Sequence, residues 1–104
     1  MAEPKRGEVW LVDLGLAAKV RPCLVLSIAP QKAERALCTL VAHTTSSRGT
    51  RFEVETHARF LHTGVFDAQN LITIPQAKLV RKLGVLSVLD LKAVENAVRF
   101  WLGL

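Results

Sequence analysis

Arg21, followed directly by Pro22, is the side chain in this sequence best fitted to grip a phosphate. Its planar fork of donors matches two phosphate oxygens. At the entry to a strand, the guanidinium can project from the rim of a sheet. The hydroxyl run Thr44-Thr45-Ser46 is the second group of interest. The Thr44 hydroxyl can hold a phosphate oxygen but cannot act as a strong base, and Thr45 or Ser46 can stand in for it. His43 is the histidine beside them, and imidazole is the natural acid or base near neutrality. Strand alternation turns it, however, to the face opposite Thr44. Lys19, Arg48 and Arg51 fall in loops and suit phosphate contacts along a single nucleic-acid strand. Plainer accounts stand beside each: a solvated arginine at a strand entry, a threonine satisfying local backbone, loop charges that only solvate. His57 and His62 read as surface residues. No histidine has metal-ligand spacing to a cysteine or carboxylate, so neither a metal nor another cofactor is expected.

The frame that must position these groups reads as short strands divided by turn residues. Residues 8–14 form the first, closed by Gly15, and 20–28 the second, closed by Pro30. The polar stretch 31–35 has room for one helical turn before a third strand, 36–44. Ser46-Ser47-Arg48-Gly49-Thr50 is a turn, and 51–56 alternates polar and apolar as a fourth strand should. Residues 64–66, 70–74 and 77–82 are further strand candidates. Many short strands without helical spacers predict a compact barrel. The end of the chain differs. Ser87 can cap a helix, with Asp90 three residues on in the capping-box position. Leu91, Val94, Ala97 or Val98, Trp101 and Leu102 then recur at helical spacing, with Lys92, Glu95 and Arg99 opposite. That stripe predicts a helix laid against the barrel, with Phe100 and Trp101 as packing residues.

The 104 residues allow one domain, 1–104, and half of them are hydrophobic, enough for a core. A domain this small is only modestly stable alone. Apolar residues on both faces of Cys23-Leu24-Val25-Leu26 suggest more burial than a monomer provides, which points to a dimer. Fourteen Lys and Arg against nine Asp and Glu leave a net charge of +5. That balance suits a polyanion, because neutralised phosphates release counterions; the alternative is ordinary solubilising charge. Cys23 and Cys38 sit in apolar runs and read as small buried hydrophobes, not as a disulfide. The polar N-terminus does not read as a signal peptide, and no apolar run approaches the roughly 20 residues of a membrane span. These features predict a cytoplasmic protein with no membrane partner.

The opening Lys5-Arg6-Gly7-Glu8-Val9-Trp10-Leu11-Val12-Asp13-Leu14, followed by Arg21-Pro22-Cys23-Leu24-Val25-Leu26-Ser27, resembles the first two strands of the MazF/PemK toxins. Leu40-Val41-Ala42-His43-Thr44-Thr45-Ser46 resembles the family's third strand and its Thr/Ser end. Asn70-Leu71-Ile72-Thr73-Ile74, then Leu79-Val80-Arg81-Lys82-Leu83-Gly84-Val85-Leu86 and the helix, complete the match in order.

The resemblance implies a mainly β fold, an SH3-like barrel with a C-terminal α-helix, assembled as a two-fold homodimer with an RNA groove across the interface. It implies the toxin of a type II toxin–antitoxin system: a metal-independent, sequence-selective endoribonuclease that cuts single-stranded mRNA and is restrained by a cognate antitoxin protein. In the family's reaction the ribose 2′-OH attacks the adjacent phosphorus, leaving a 2′,3′-cyclic phosphate and a free 5′-OH. Such a reaction needs a group to take the 2′-OH proton, a group to protonate the 5′-oxygen, and positive charge beside the phosphorane. Arg21 matches the family's catalytic arginine, and Thr44 its threonine at the end of the third strand. Lys19, Ser46, Arg48 and Arg51 are then the RNA-binding candidates. The sequence departs from the pattern in two places. The loop 16–20, Leu-Ala-Ala-Lys-Val, lacks the acid and paired glycines that family members carry there. Some members have an Asp aligned with Gln69, whereas here Asp67 stands two positions earlier, on the same face of a strand. Further catalytic candidates are His43, Asp67 and Thr45, and the general base stays unassigned. Two competing readings are a same-fold toxin that poisons DNA gyrase by contact and a non-catalytic SH3-like RNA-binding module. The gyrase type ends in Trp-Gly-Ile, close to Trp101-Leu102-Gly103-Leu104. The module would carry more aromatics for base stacking.

Overall fold

A computed structural model describes residues 3–15 and 19–104. The elements run β1 (Glu8–Asp13), β2 (Val20–Val25), β3 (Leu37–Thr44), β4 (Glu53–Glu55), β5 (Val65–Pro75), a 3-10 turn (Gln76–Lys78), β6 (Leu79–Val85) and α1 (Val88–Leu102). The strands form one antiparallel sheet in the order β4-β5-β3-β2-β1-β6. This is the predicted mainly β architecture of a barrel-like sheet with a C-terminal helix. The barrel is left open, because β4 and β6 are the two ends of the strand order.

Successive side chains of a strand point to opposite faces, yet both faces of this sheet are buried. On one face Val9, Leu24, Val41, Phe66, Ala68 and Leu86 pack beneath Val94 and Val98 of α1. On the other, Val12, Cys23, Val25, Cys38, Leu40 and Ala42 form a second cluster that contains no helix residue. The curl of the sheet covers that cluster, with Leu79, Ile72 and Ile74 packed against it. The apolar character of both faces of 23–26 is therefore satisfied within a single chain, and it does not by itself call for a second copy. Cys23 and Cys38 are free and buried, as expected. Desolvation pushes the Cys23 thiol up to about 12, so it stays protonated and packs as a hydrophobe.

Several boundaries differ from the sequence reading, each for a local reason. The second strand ends at Val25, although Leu26 N still donates to Thr39 O; beyond it the Ser27 hydroxyl takes the Thr39 amide. The expected helical turn at 31–35 is a single turn in which Glu34 N donates to Gln31 O and Gln31 N to the Glu34 carboxylate. Candidates 64–66 and 70–74 are one strand, the eleven-residue β5, interrupted by a bulge. The candidate 77–82 begins its ladder only at Leu79, after the 3-10 turn.

The helix starts where its cap predicts. Ser87 Oγ accepts the Asp90 amide at 3.1 Å, and Asp90 adds a negative charge at the positive end of the helix dipole. Gly103, at φ 73°, closes the other end in the left-handed conformation that glycine adopts without strain. The final turn overhangs the sheet. Phe100 and Trp101 each pack one side against Phe52, with ring centroids 5.2 Å away, and otherwise face outward together with Leu102. The expected inward stripe thus ends at Val98. Arg6 ties the N-terminal segment to α1 through Glu95 and to the Leu26 carbonyl.

Two contacts fix β6. Glu8, nearly buried, accepts the Lys5 amide at 2.8 Å and the Trp10 indole at 3.1 Å, and its second oxygen lies 3.0 Å from Lys82 Nζ on β6. Burial alone would raise this carboxyl, but the donors outweigh it and the net direction is down. Farther along β6, the Phe60 ring lies flat against the backbone of Gly84, where an added Cβ would stand 2.5 Å from the ring. We predict that Gly84→Ala lowers stability by about 1–3 kcal/mol through overpacking, and that Phe60→Leu in the same chain restores part of it. Urea unfolding of the three proteins measures both changes.

Candidate functional site

The site begins with the register of three strands. Cys23 faces Ala42, and Leu24 faces Val41. Continuing that antiparallel register by two residues sets Arg21 level with Thr44, at the mouth of the second hydrophobic cluster. Both side chains are half-buried there. On the far side of β3 the register breaks: Val41 faces Leu71, but His43 faces Phe66, so residues 67–70 stand opposite the single residue Ala42. A bulge of this kind removes strict alternation and re-aims side chains. It carries Asp67 and Asn70 to the same rim as Arg21.

Arg21 borders three cavities that share lining residues and so form one groove. The first, about 350 Å³, has Leu14, Ile72 and Ile74 on its walls and Asp13, Asn70 and Lys78 at its polar edge. The second, about 290 Å³, brings Arg21 together with Thr44, Ser46, Arg48, Glu53 and Asp67. The third, about 250 Å³, joins Arg21 to His43, Thr44, Thr45, Ser46 and His62.

The loop after β3 is held by one carboxylate. Glu53 accepts the amides of Arg48, Gly49 and Thr50 and the Ser47 hydroxyl, at 2.7–3.2 Å. The Arg48 amide, first among these donors, holds the Glu53 carboxyl below the usual carboxylate range. Thr44 Oγ1 accepts the Ser46 amide at 3.1 Å. One of its two acceptor lone pairs is thereby used, and its own O–H remains available to donate. Asp67 Oδ1 accepts the Gln69 amide at 3.0 Å, and Asp13 Oδ1 the Gly15 amide at 2.9 Å. Each carboxylate lining the groove is thus engaged by the backbone. Among the described residues there is no cluster of three or more His, Cys, Asp or Glu with the geometry to hold a metal ion.

His43 is buried at 3% exposure, with its ring edge-on to Phe66 at a centroid distance of 5.0 Å and an interplanar angle of 72°. Although its backbone position alternates with Thr44, its imidazole reaches the same cavity. Desolvation lowers its pKa from the ordinary value, and the charge of His62 lowers it further.

The groove therefore gathers Arg21, Thr44, Thr45, Ser46, Arg48, His43 and Asp67 from the sequence candidates. Two candidates lie elsewhere. The Arg51 guanidinium sits over the rings of Phe52 and Phe100, 4.8 and 4.7 Å from their centroids, and is not among the groove's lining residues. Lys19 closes the β1–β2 hairpin at φ 53°, exchanging hydrogen bonds with Gly15 and Leu14, also outside the lining. Residues 16–18 of the shortened loop lie outside the described residues. Five polar groove residues were not among the sequence candidates: His62, Asn70, Lys78, Asp13 and Glu53. His62 lies two residues before Gly64, whose backbone packs against the Thr44 carbonyl with no room for a side chain.

Residues 5–102 match the family model described as a PemK-like, MazF-like toxin of a type II toxin–antitoxin system. A mycobacterial endoribonuclease, solved in complex with its cognate antitoxin, is 28% identical with TM-score 0.83, the match covering 97% of this chain and 96% of that one. The Mycobacterium tuberculosis toxin MazF-mt6 is 27% identical with TM-score 0.79, over 93% and 97% of the two chains. MazF of Deinococcus radiodurans is 25% identical with TM-score 0.83 over the whole of both.

The lowered pKa of His43 fixes a pH dependence. The folded protein binds this proton less readily than the unfolded chain, so the neutral ring's contribution is present above pH 6.5 and is lost as pH falls below it. An NMR titration should place the His43 midpoint below 6.5. His43→Gln should flatten the acid-side loss of stability in denaturant unfolding.

Proposed function

Since the chain belongs to the PemK-like, MazF-like family of type II toxins, we propose that it is an endoribonuclease that cuts single-stranded RNA without a metal ion, by attack of the ribose 2′-OH on the adjacent phosphorus. The observation that carries this reading is the place of Arg21, which borders all three cavities of the groove. A single strand laid along the groove passes its phosphates over the guanidinium. There the planar donors take two oxygens of the phosphorane as its charge develops. The free O–H of Thr44 donates to one of the same oxygens. Arg48, Ser46 and Lys78 meet the neighbouring phosphates, while the apolar walls at Leu14, Ile72 and Ile74 accept a base. The nucleophile belongs to the substrate, so this reaction requires no activated water. Its products are a 2′,3′-cyclic phosphate and a 5′-OH.

The same reading includes assembly and control. A homodimer extends the groove across two copies. A cognate antitoxin with an acidic segment covers it, drawn by the +5 charge; the mycobacterial relative solved with its antitoxin supports this. No helix among the described residues is long and apolar enough to cross a membrane, and the mRNA substrate sets the expected site of action in the cytoplasm.

Arg21→Ala should keep the fold by circular dichroism and slow RNA cleavage by about a hundredfold to a thousandfold, since one preorganised donor contributes about 3 kcal/mol to the transition state. Wild-type cleavage should persist in EDTA. Cleavage by Arg21→Ala at the wild-type rate would refute the assignment. Sedimentation should show a dimer at micromolar concentration, and adding the antitoxin should displace bound RNA. RNA and antitoxin bound together on one dimer would rule out the occlusion.

A further inference from the structure

We propose that His43 and His62 form an acid–base pair beside Arg21, in which His43 takes the proton of the attacking 2′-OH and His62 delivers one to the departing 5′-oxygen. The proposal rests on the endoribonuclease reading and supplies the proton transfers which that reading leaves open.

Five observations carry it. First, the two imidazoles line one cavity of about 250 Å³ together with Arg21, Thr44, Thr45 and Ser46. That volume is several times the roughly 30 Å³ a water occupies in the liquid, so a phosphodiester with its flanking sugar atoms fits.

Second, the two rings come from different segments that are clamped together. The Gly64 backbone presses on the Thr44 carbonyl, and a Cβ there would stand 2.9 Å from His43 Cε1. His62, two residues earlier, lines the same cavity as Thr44.

Third, each carboxylate of the groove is held in place by backbone amides. Glu53 accepts three loop amides and a hydroxyl, Asp67 accepts the Gln69 amide, and Asp13 accepts the Gly15 amide. Cys23, buried beneath the groove, stays a neutral thiol.

Fourth, the two rings have different surroundings. His43 is fixed against Phe66 and is almost fully buried, while His62 is exposed. Among the described residues His43 makes no hydrogen bond, and the sealed polar atom without a partner is Thr56 Oγ1 and not an imidazole nitrogen. His43 nonetheless lines the cavity.

Fifth, Arg21 of β2 shares the cavity with the pair, while Arg48 of the loop after β3, Glu53 of β4 and Asp67 of β5 line the adjoining cavity. With Arg21 fixed as a cation, a second proton on the pair is disfavoured. Burial first, and His62 second, lower the pKa of His43 and favour the neutral ring. A neutral ring is the form that can take the 2′-OH proton.

The balance is complete. The O2′–P bond forms and the P–O5′ bond breaks, the 2′-OH proton goes to His43, and the His62 proton goes to O5′. The enzyme ends with the proton on the other ring, and exchange with water resets it.

The test uses full-length protein, ordinary RNA and an RNA whose scissile 5′-oxygen is replaced by sulfur, a leaving group that needs no proton. His62→Gln should slow cleavage of ordinary RNA by about a hundredfold or more and remove the alkaline limb of the rate–pH profile. On the sulfur substrate it should recover to nearly the wild-type rate. His43→Gln should lose the acid limb instead and gain nothing from sulfur, while Arg21→Ala should stay slow on both. His62 is exposed, so its variant remains informative should the buried His43 variant fold poorly. The proposal is overturned if His62→Gln cuts ordinary RNA at the wild-type rate with an unchanged profile, or if sulfur does not rescue it. Failure of the wild-type protein to cut either RNA overturns the endoribonuclease reading, and the pair falls with it.

Discussion

A thin sheet that must bury both of its faces beneath a single fifteen-residue helix governs this molecule. The helix covers one face only. The other has to be covered by the sheet's own curl, and a sheet that curls this far cannot keep perfect ladders at its rim. The break in register between β3 and β5 is where regularity is given up. The groove lies at that break because bulged backbone projects polar side chains on the side where the second cluster opens to solvent. Packing and site are in this sense one problem: the residues that close the hydrophobic cluster, Ile72, Ile74 and Leu14, also line the groove.

The open side of the barrel raises the opposite difficulty, since exposed strand edges invite pairing with other chains. The short β4 limits the edge at one end of the order. At the other end, Phe60 packs on the face of β6 at Gly84 and joins the cluster beneath α1. The segment that supplies this ring also carries His62.

Most of the frame was legible in the sequence because the signals were local. The Ser87 cap, the apolar periodicity through Val98 and the turn at 46–50 each act within a few residues. Arg21 and Thr44 could be paired from resemblance, and the strand register sets them level. What could not be read depends on contacts between distant residues. Nothing near Asp67 announces that four residues will stand opposite one, so β5 read as two strands. Alternation correctly turned the His43 backbone position away from Thr44, yet the ring still reaches the cavity at the strand's end. His62 read as a surface residue and is exposed; what the sequence did not announce is that it lines the cavity beside Thr44, a residue eighteen positions earlier in the chain. Arg51 had the right charge, but Phe100, nearly fifty residues later, offers its ring to the guanidinium.

The Glu53 carboxylate has one more consequence. Consecutive amides converging on a point are how many folds welcome a phosphate, and here that welcome is already taken by an anion belonging to the chain. The shape of the loop is therefore set by main-chain groups, the Ser47 and Thr50 hydroxyls and residue 53, whereas the Ser46 and Arg48 side chains take part in none of these bonds. Under the proposed function, holding the loop and contacting RNA would then fall to different side chains, and residues 46 and 48 could change in identity without the loop losing its form.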